Sequence, residues 1–203
     1  MKKLAYPQAG VASTCRSFEE YERMFGIDAG QLSGQKVLDV AGGASSFTAA
    51  LCARGIDAYA ADPFYAGSRE EVIAAAEREI DTSSAKLAAM AHIYDWSYYG
   101  SPERHRRLRE ASHAMFAGHF RSAEGGGRYM AAGLPDLPFE DGTFGLAVCS
   151  HFLFLYAEQF GEAFHAAALR ELLRVTRPGG EVRIYPLVTL SWEPGPAAGR
   201  TGG

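Results

Sequence analysis

Lys36-Val37-Leu38-Asp39-Val40-Ala41-Gly42-Gly43-Ala44-Ser45-Ser46-Phe47 is the stretch on which the fold turns. A short apolar run passes an acidic residue and enters a turn of small residues. The segment behind it, Thr48 to Arg54, is helix-forming. The run therefore reads as a buried parallel strand feeding a tight turn and a helix, capped by Ser45 or Ser46. Small residues at such a turn let the backbone come close to a ligand. Free N–H groups at the start of the following helix point at whatever lies above. Nucleotide pockets are built this way, at the carboxyl end of a first strand. A plainer reading of the same residues is a strand-to-helix connection with no ligand.

Ile56 to Ala61 repeats the strand pattern and ends at Asp62-Pro63-Phe64. Strand, helix and strand together imply a parallel right-handed crossover. Asp62 lies 19 residues beyond Gly43. An acid so placed offers two acceptor oxygens to the two hydroxyls of a ribose. Pro63 and Phe64 would then give the base an apolar wall. The alternative is an aspartate that only caps the next helix. The dinucleotide pattern G-x-G-x-x-G is not met at Gly42-Gly43-Ala44-Ser45-Ser46.

Upstream, Ser17-Phe18-Glu19-Glu20 is a capping box, and a short helix carrying Tyr21, Met24 and Phe25 is expected to end at Gly26. Tyr21 reads either as a ligand contact or, more simply, as a core aromatic. Downstream, residues 66–124 are helical in pattern and long for one crossover. Helices are expected from Ser68 to about Ile80, from Ser84 to Trp96 and from Ser101 to about Phe120. The insertion reads as a helical cap over the pocket, although most of its aromatics are read more simply as core between that cap and the sheet. The basic run Arg104 to Arg109 reads as a solvated helix face. Glu124-Gly125-Gly126-Gly127 reads as a flexible joint. Arg128 to Ala132 and Phe144 to Cys149 are expected as third and fourth strands. A helix from Gln159 to Thr176 and a fifth strand from Glu181 to Pro186 complete the pattern.

Several of these elements resemble class I S-adenosylmethionine-dependent methyltransferases of the small-molecule type. Asp39 and Gly43 match the family's first motif, with Ala41 where its first glycine usually stands. Leu137-Pro138-Phe139, then Asp141-Gly142-Thr143-Phe144 and an apolar strand, resemble its adenine-side loop and fourth strand. Arg177-Pro178-Gly179-Gly180 after an amphipathic helix resembles its helix-stop signature. The resemblance covers roughly residues 35–188. It implies a doubly wound, Rossmann-like α/β sheet with a helical insertion between strands 2 and 3. It implies S-adenosyl-L-methionine as cofactor and methyl transfer to a small molecule.

The site residues follow from the same resemblance. Ala41, Gly42 and Gly43 should approach the methionine portion of the cofactor, and Asp39 should orient its amino group. Asp62 should hold the ribose, with Pro63 beside the base. The family often has an adenine-binding acid where this chain has Gly133, so backbone groups of Gly133 and Leu134, or the displaced Asp136, would serve instead. Ser150 and His151 should lie near the sulfonium and the acceptor. His151 is the one candidate base, although a histidine there could also only orient substrate or satisfy a buried partner. Two other classes stay open: a catalytically silent binding protein of the same fold, and an NAD-dependent Rossmann enzyme.

The 203 residues suit a single domain, taken as 1–188 with a cap at 66–124 and a disordered tail at 189–203. The family usually adds two strands beyond the fifth; here that edge is left open, a site for pairing with a second copy of the chain. A net charge of −4 leaves no electrostatic footprint for nucleic acid or an anionic membrane. Cys15, Cys52 and Cys149 form neither a metal pattern nor a disulfide framework. Met1-Lys2-Lys3 is followed by no apolar signal region, and the stretch from Leu146 to Tyr156 is too short to span a bilayer. A cytoplasmic location is expected.

Overall fold

The computed structural model describes residues 13–191 and 193. The chain runs α1 (Phe18–Phe25), β1 (Lys36–Val40), α2 (Phe47–Cys52), β2 (Asp57–Ala61), α3 (Arg69–Ala89), α4 (Pro102–Arg121), β3 (Tyr129–Met130), β4 (Phe144–Ser150), α5 (Glu162–Val175) and β5 (Thr176–Tyr185). The five strands form one parallel sheet in the order β3-β2-β1-β4-β5. This is the α/β, Rossmann-like arrangement expected from the sequence. The insertion, α3 and α4, lies between β2 and β3.

β1 is central and pairs on both sides, with Val40 opposite Ala61 of β2 and Cys149 of β4. Its last four residues are buried, as a strand covered on both faces requires. On one face Phe18, Tyr21 and Phe47 stack over Val37 and Val148. On the other, Ala168, Leu172 and Val175 of α5 pack against Leu38, Val40 and Phe144. A third cluster, around Tyr65, Val72, Phe116 and Phe120, joins the insertion to the β2 edge.

Local differences from the sequence reading each have a cause. The two helices expected at 68–80 and 84–96 are one helix, α3, with a capping box at Ser68 and Glu71. Thr82 and Ser83 do not break it, because their hydroxyls bond back to the Arg78 and Ile80 carbonyls. α2 has Ser46 at its N-cap position without a side-chain cap. The Ser46 hydroxyl instead accepts from the Phe18 N–H, and Ser45 bonds to Asp39. β3 is only two residues long. β5 starts earlier than expected, because Thr176 already pairs with Phe144 and residues 177–180 bulge out before Glu181 meets Leu146.

Glu124-Gly125-Gly126-Gly127 is a tight turn rather than a flexible joint. Gly125 donates to the Ser122 hydroxyl, and a Cβ at Gly125 would stand 2.0 Å from the His119 carbonyl oxygen. Of the expected tail, Thr189 donates to the Glu193 carbonyl and Leu190 to the Leu155 carbonyl. Trp192 and residues 194–203, like Met1-Lys2-Lys3, lie outside the described residues. Among the described residues no strand follows β5, and no helix is long and apolar enough to cross a membrane.

Two glycines separate close packing from mere flexibility. Gly118 in α4 has nothing within 4 Å of an added Cβ. Gly118→Ala should therefore stabilise the protein by about 0.5–1 kcal/mol, the helix-interior cost of glycine. Gly125→Ala should destabilise by roughly 1–3 kcal/mol through overpacking against backbone. Chemical denaturation of both variants should give opposite signs.

Candidate active site

The chain leaves β1 toward β2 on one side, while β4 lies on the other side of β1. The carboxyl ends of β1 and β4 therefore flank the topological switch point, where open parallel sheets bind ligands. Ala41 and His151 stand there, and both have left-handed backbones, at φ +56° and +51°. Non-glycine residues seldom adopt that conformation, and it concentrates at functional sites. Above them opens a cavity of about 730 Å³. Ala41, Asp62, Ser150 and His151 form its base. The strap Ser13–Arg16 forms one wall. The insertion contributes Leu87, Met90, Trp96 and Tyr99, among others, to its lining.

The turn after β1 is clamped from three directions. The Gly43 N–H donates to Asp62 Oδ2 at 2.9 Å, and the Gly43 carbonyl accepts from the Tyr65 hydroxyl at 2.7 Å. A Cβ at Gly43 would meet Ser13 Oγ at 2.8 Å and the Thr14 backbone at 3.2 Å. The strap thus crosses directly over Gly43. Of the three turn residues, Ala41 lines the cavity, while Gly42 and Gly43 are buried beside it.

Asp39 lies beneath the turn and does not line the cavity. It is fully buried, accepting from the Ser45 hydroxyl at 3.0 Å and from the Tyr21 hydroxyl at 3.2 Å. A Cβ at Gly42 would come within 2.6 Å of its carboxyl oxygen, so glycine is required there. Burial pushes the Asp39 carboxyl up to about 8, despite the Ser45 and Tyr21 hydrogen bonds, and the nearby Asp62 charge adds to the rise. Asp39 is therefore neutral at pH 7. Tyr21, stacked on Phe47 at 4.5 Å, is a core residue.

Asp62 sits at the end of β2 with its carboxylate facing the turn. Oδ1 accepts from the Phe64 N–H at 2.8 Å and Oδ2 from Gly43. Each oxygen keeps a further lone pair, and the residue lines the cavity. Burial raises its pKa, while the two backbone hydrogen bonds oppose the rise. Pro63 is exposed beside it. A Cβ at Gly133 would lie 2.9 Å from the Pro63 ring, so an acid cannot occupy position 133 without displacing Pro63. Gly133 and Leu134 are half-buried near this edge and do not line the cavity, and Asp136 is exposed.

Ser150 and His151 are joined by a 2.9 Å hydrogen bond between Ser150 Oγ and His151 Nδ1. The His151 backbone N–H donates to the Tyr185 carbonyl, and its ring leans on the Tyr185 ring. Burial, with the positive charges of Arg16 and Arg109, pushes the His151 pKa down to about 2. The ring is neutral, with Nε2 left for a ligand.

Sequence reasoning missed a second cluster. Arg109, placed within the supposedly solvated basic run, is buried and grips Glu20 with both terminal nitrogens. Tyr99 donates to Glu20 Oε1 at 2.6 Å, and Arg109 Nε approaches His105 Nε2 at 3.2 Å. Burial would raise the Glu20 pKa, but Arg109, Arg16 and Tyr99 outweigh it and hold Glu20 at about 2. Burial and Arg109 push His105 down to about 4. A signal was present: His105 and Arg109 are four residues apart and share a helix face.

The residues at the cavity fit S-adenosylmethionine. Asp62 offers two acceptors for a diol. Ser13 Oγ, on the strap beside the turn, is a buried polar atom without a protein partner. Among the described residues no group of His, Cys, Asp and Glu converges to hold a metal ion.

Residues 101–184 match the family model of a methyltransferase domain. The match runs from α4 through almost all of β5 and does not include the turn after β1 or Asp62. The chain is also similar to the uncharacterized protein MJ0045 of Methanocaldococcus jannaschii. The two are 30% identical over 179 residues, covering 88% of this chain and 78% of the relative.

The Asp39 shift has a sign that can be checked. Its folded pKa lies above the unfolded value, so the folded state binds more protons in between. Its contribution is fully present below about pH 4 and is lost as pH rises through about 8. Asp39→Asn should remove this slope, so that its melting temperature relative to wild type improves steadily from pH 5 to about pH 9. Melting curves across that range test it.

Proposed function

We propose a reaction from one premise: this chain belongs to the class I S-adenosylmethionine-dependent methyltransferases. Members of this family generally use S-adenosylmethionine. The reading is methyl transfer from that cofactor to a small-molecule acceptor inside the cavity. Asp62 is the observation that carries it. A carboxylate at the tip of β2, with one unused lone pair per oxygen, faces the cavity beside the turn of β1. That is the geometry for receiving both hydroxyls of a ribose.

S-Adenosylmethionine supplies a methyl group on a sulfonium sulfur, which keeps the electron pair of the broken bond and leaves as a neutral thioether. The work left to the protein is alignment and exclusion of water. Asp62 would fix the ribose. Ala41, with its left-handed backbone, would edge the methionine portion, and Ser13 and Thr14 of the strap would cover it. Pro63 would border the base, whose recognition would fall to backbone groups near Leu134, because Gly133 has no room for a side chain.

His151 would face the acceptor. For Nε2 to accept a hydrogen bond, Nδ1 must carry the proton and donate it to Ser150 Oγ. The acceptor's lone pair forms the new bond to carbon, and its proton passes to Nε2 and then to solvent. Burial keeps the ring neutral, so Nε2 is able to accept a proton. The acceptor would be a hydroxyl group, whose oxygen becomes strongly acidic once it has gained the methyl group.

Calorimetry with S-adenosylhomocysteine tests the reading. The wild type should bind it, and Asp62→Ala should weaken binding about tenfold or more, since each charge-assisted hydrogen bond contributes about 1.5–3 kcal/mol. NAD should not raise the melting temperature. Failure of wild type to bind S-adenosylhomocysteine sinks the assignment. His151→Gln should leave that affinity unchanged and slow single-turnover methyl transfer by about tenfold, because so weakly basic a ring positions the acceptor more than it drives proton removal.

A further inference from the structure

Arg16 carries charge that the protein does not use. Both oxygens of Glu20 are committed to Arg109, with Tyr99 and the Ser17 N–H adding bonds at 2.6 and 2.7 Å. Arg109 in turn spends its donors on Glu20, the Cys15 carbonyl, Tyr99 and His105. Arg16 is left with a single long contact, 3.4 Å from Nη1 to Glu20 Oε1. Its Nε is buried without a partner, its Nη2 makes no hydrogen bond among the described residues, and the side chain is 18% exposed. It lines the cavity.

Two guanidinium groups thus share one carboxylate, and the surplus faces the ligand space. A guanidinium grips a carboxylate through two parallel hydrogen bonds, as Arg109 does with Glu20. The other acids at the cavity, Asp62, Glu79 and Asp95, make no ion pair with Arg16. Asp62 is held by the turn and Asp95 by the Ser97 N–H. His105 is neutral at pH 7, so it neither competes nor compensates.

Arg16 shares its wall with Tyr99, His105 and Arg109, and its charge bears on His151. It therefore faces the insertion side of the cavity. Leu87, Met90 and Trp96 of the insertion, with Phe152 and Leu155 from beyond β4, give the cavity an apolar stretch, and Glu79, Ser83 and Asp95, of α3 and the segment after it, add polar groups to the lining.

We propose that the methyl acceptor is an amphipathic carboxylic acid, its carboxylate held by the guanidinium of Arg16 and its apolar body lodged against the insertion. The identification of this ligand as the acceptor rests on the methyl-transfer reading. The carboxylate seat itself does not. The acceptor's hydroxyl, at the far end of that body from its carboxylate, would then meet His151.

The probe pair is 4-hydroxyphenylacetate and its neutral amide, with decanoate and decanamide as a longer pair. Binding is measured by calorimetry on wild type, Arg16→Gln and Arg16→Lys, with and without S-adenosylhomocysteine. For at least one pair the acid should bind wild type about tenfold or more better than its amide. Arg16→Gln should abolish that preference, and Arg16→Lys should restore part of it, showing that charge rather than folding was lost. Affinity for S-adenosylhomocysteine should change less than about threefold in both variants.

Equal binding of acid and amide, or no acid binding to wild type up to about 10 mM, overturns the proposal. So does a tenfold or greater loss of S-adenosylhomocysteine affinity in Arg16→Gln with the acid preference intact, which would give Arg16 to the cofactor's own carboxylate. If wild type fails to bind S-adenosylhomocysteine but prefers the acids through Arg16, the seat stands and the methyl-transfer reading falls. The two failures are therefore distinct.

Discussion

One buried ion pair, Arg109 of α4 against Glu20 of α1, fastens the insertion to the first helix. The guanidinium meets the carboxylate with two nitrogens on two oxygens, and both side chains are almost wholly removed from water. Such a pair adds little net stability over a well-packed apolar contact. Removing one partner, however, strands a charge and costs about 3–5 kcal/mol. The pair therefore fixes where α4 sits. The same Arg109 holds the Cys15 carbonyl, and Ser112 one turn further along α4 donates to the Arg16 carbonyl at 2.6 Å. Strap, first helix and insertion are fastened at one place, and the cavity is the space they enclose over the sheet.

The sheet fixes the other side of that space. With Val40 opposite both Ala61 and Cys149, the chain exits three neighbouring strands at one level. Ala41, Asp62 and the Ser150–His151 pair consequently stand side by side. Their electrostatics are divided. Asp39, buried beneath the turn, is neutral and serves packing. Asp62, reached by two backbone N–H groups, faces the cavity. Arg16 and Arg109, which also line the cavity, answer to one glutamate, Glu20.

The match to the methyltransferase domain begins inside the insertion, at residue 101, and includes the two elements whose sequence was most telling. These are the loop around Leu137-Pro138-Phe139 and the Arg177-Pro178-Gly179-Gly180 stop. The latter acts through shape. Gly179 takes a φ of +77°, and a Cβ on Gly180 would meet backbone oxygens of Arg177 and Gly145 at 2.9 Å. The bulge lets α5 run into β5 without a separate loop.

The succession of strands along the chain, the turn after β1 and the placing of Asp62 and His151 at strand ends were legible in the sequence. They depend on hydrophobic period, small residues and spacing, all local along the chain. The sequence could not tell that Asp39 is buried and neutral, because that depends on Tyr21 and Ser45 arriving from other elements. Nor could it tell that Gly43 lies under the strap. Arg109 is the plainest case. A basic run reads as solvated when no opposite charge is near in sequence, and its partner Glu20 is 89 positions away. Local pattern determined the scaffold and its ligand-facing edge. Only tertiary contact decided which charges are paired, and so which one is left over, because burial and pairing belong to groups brought together by folding.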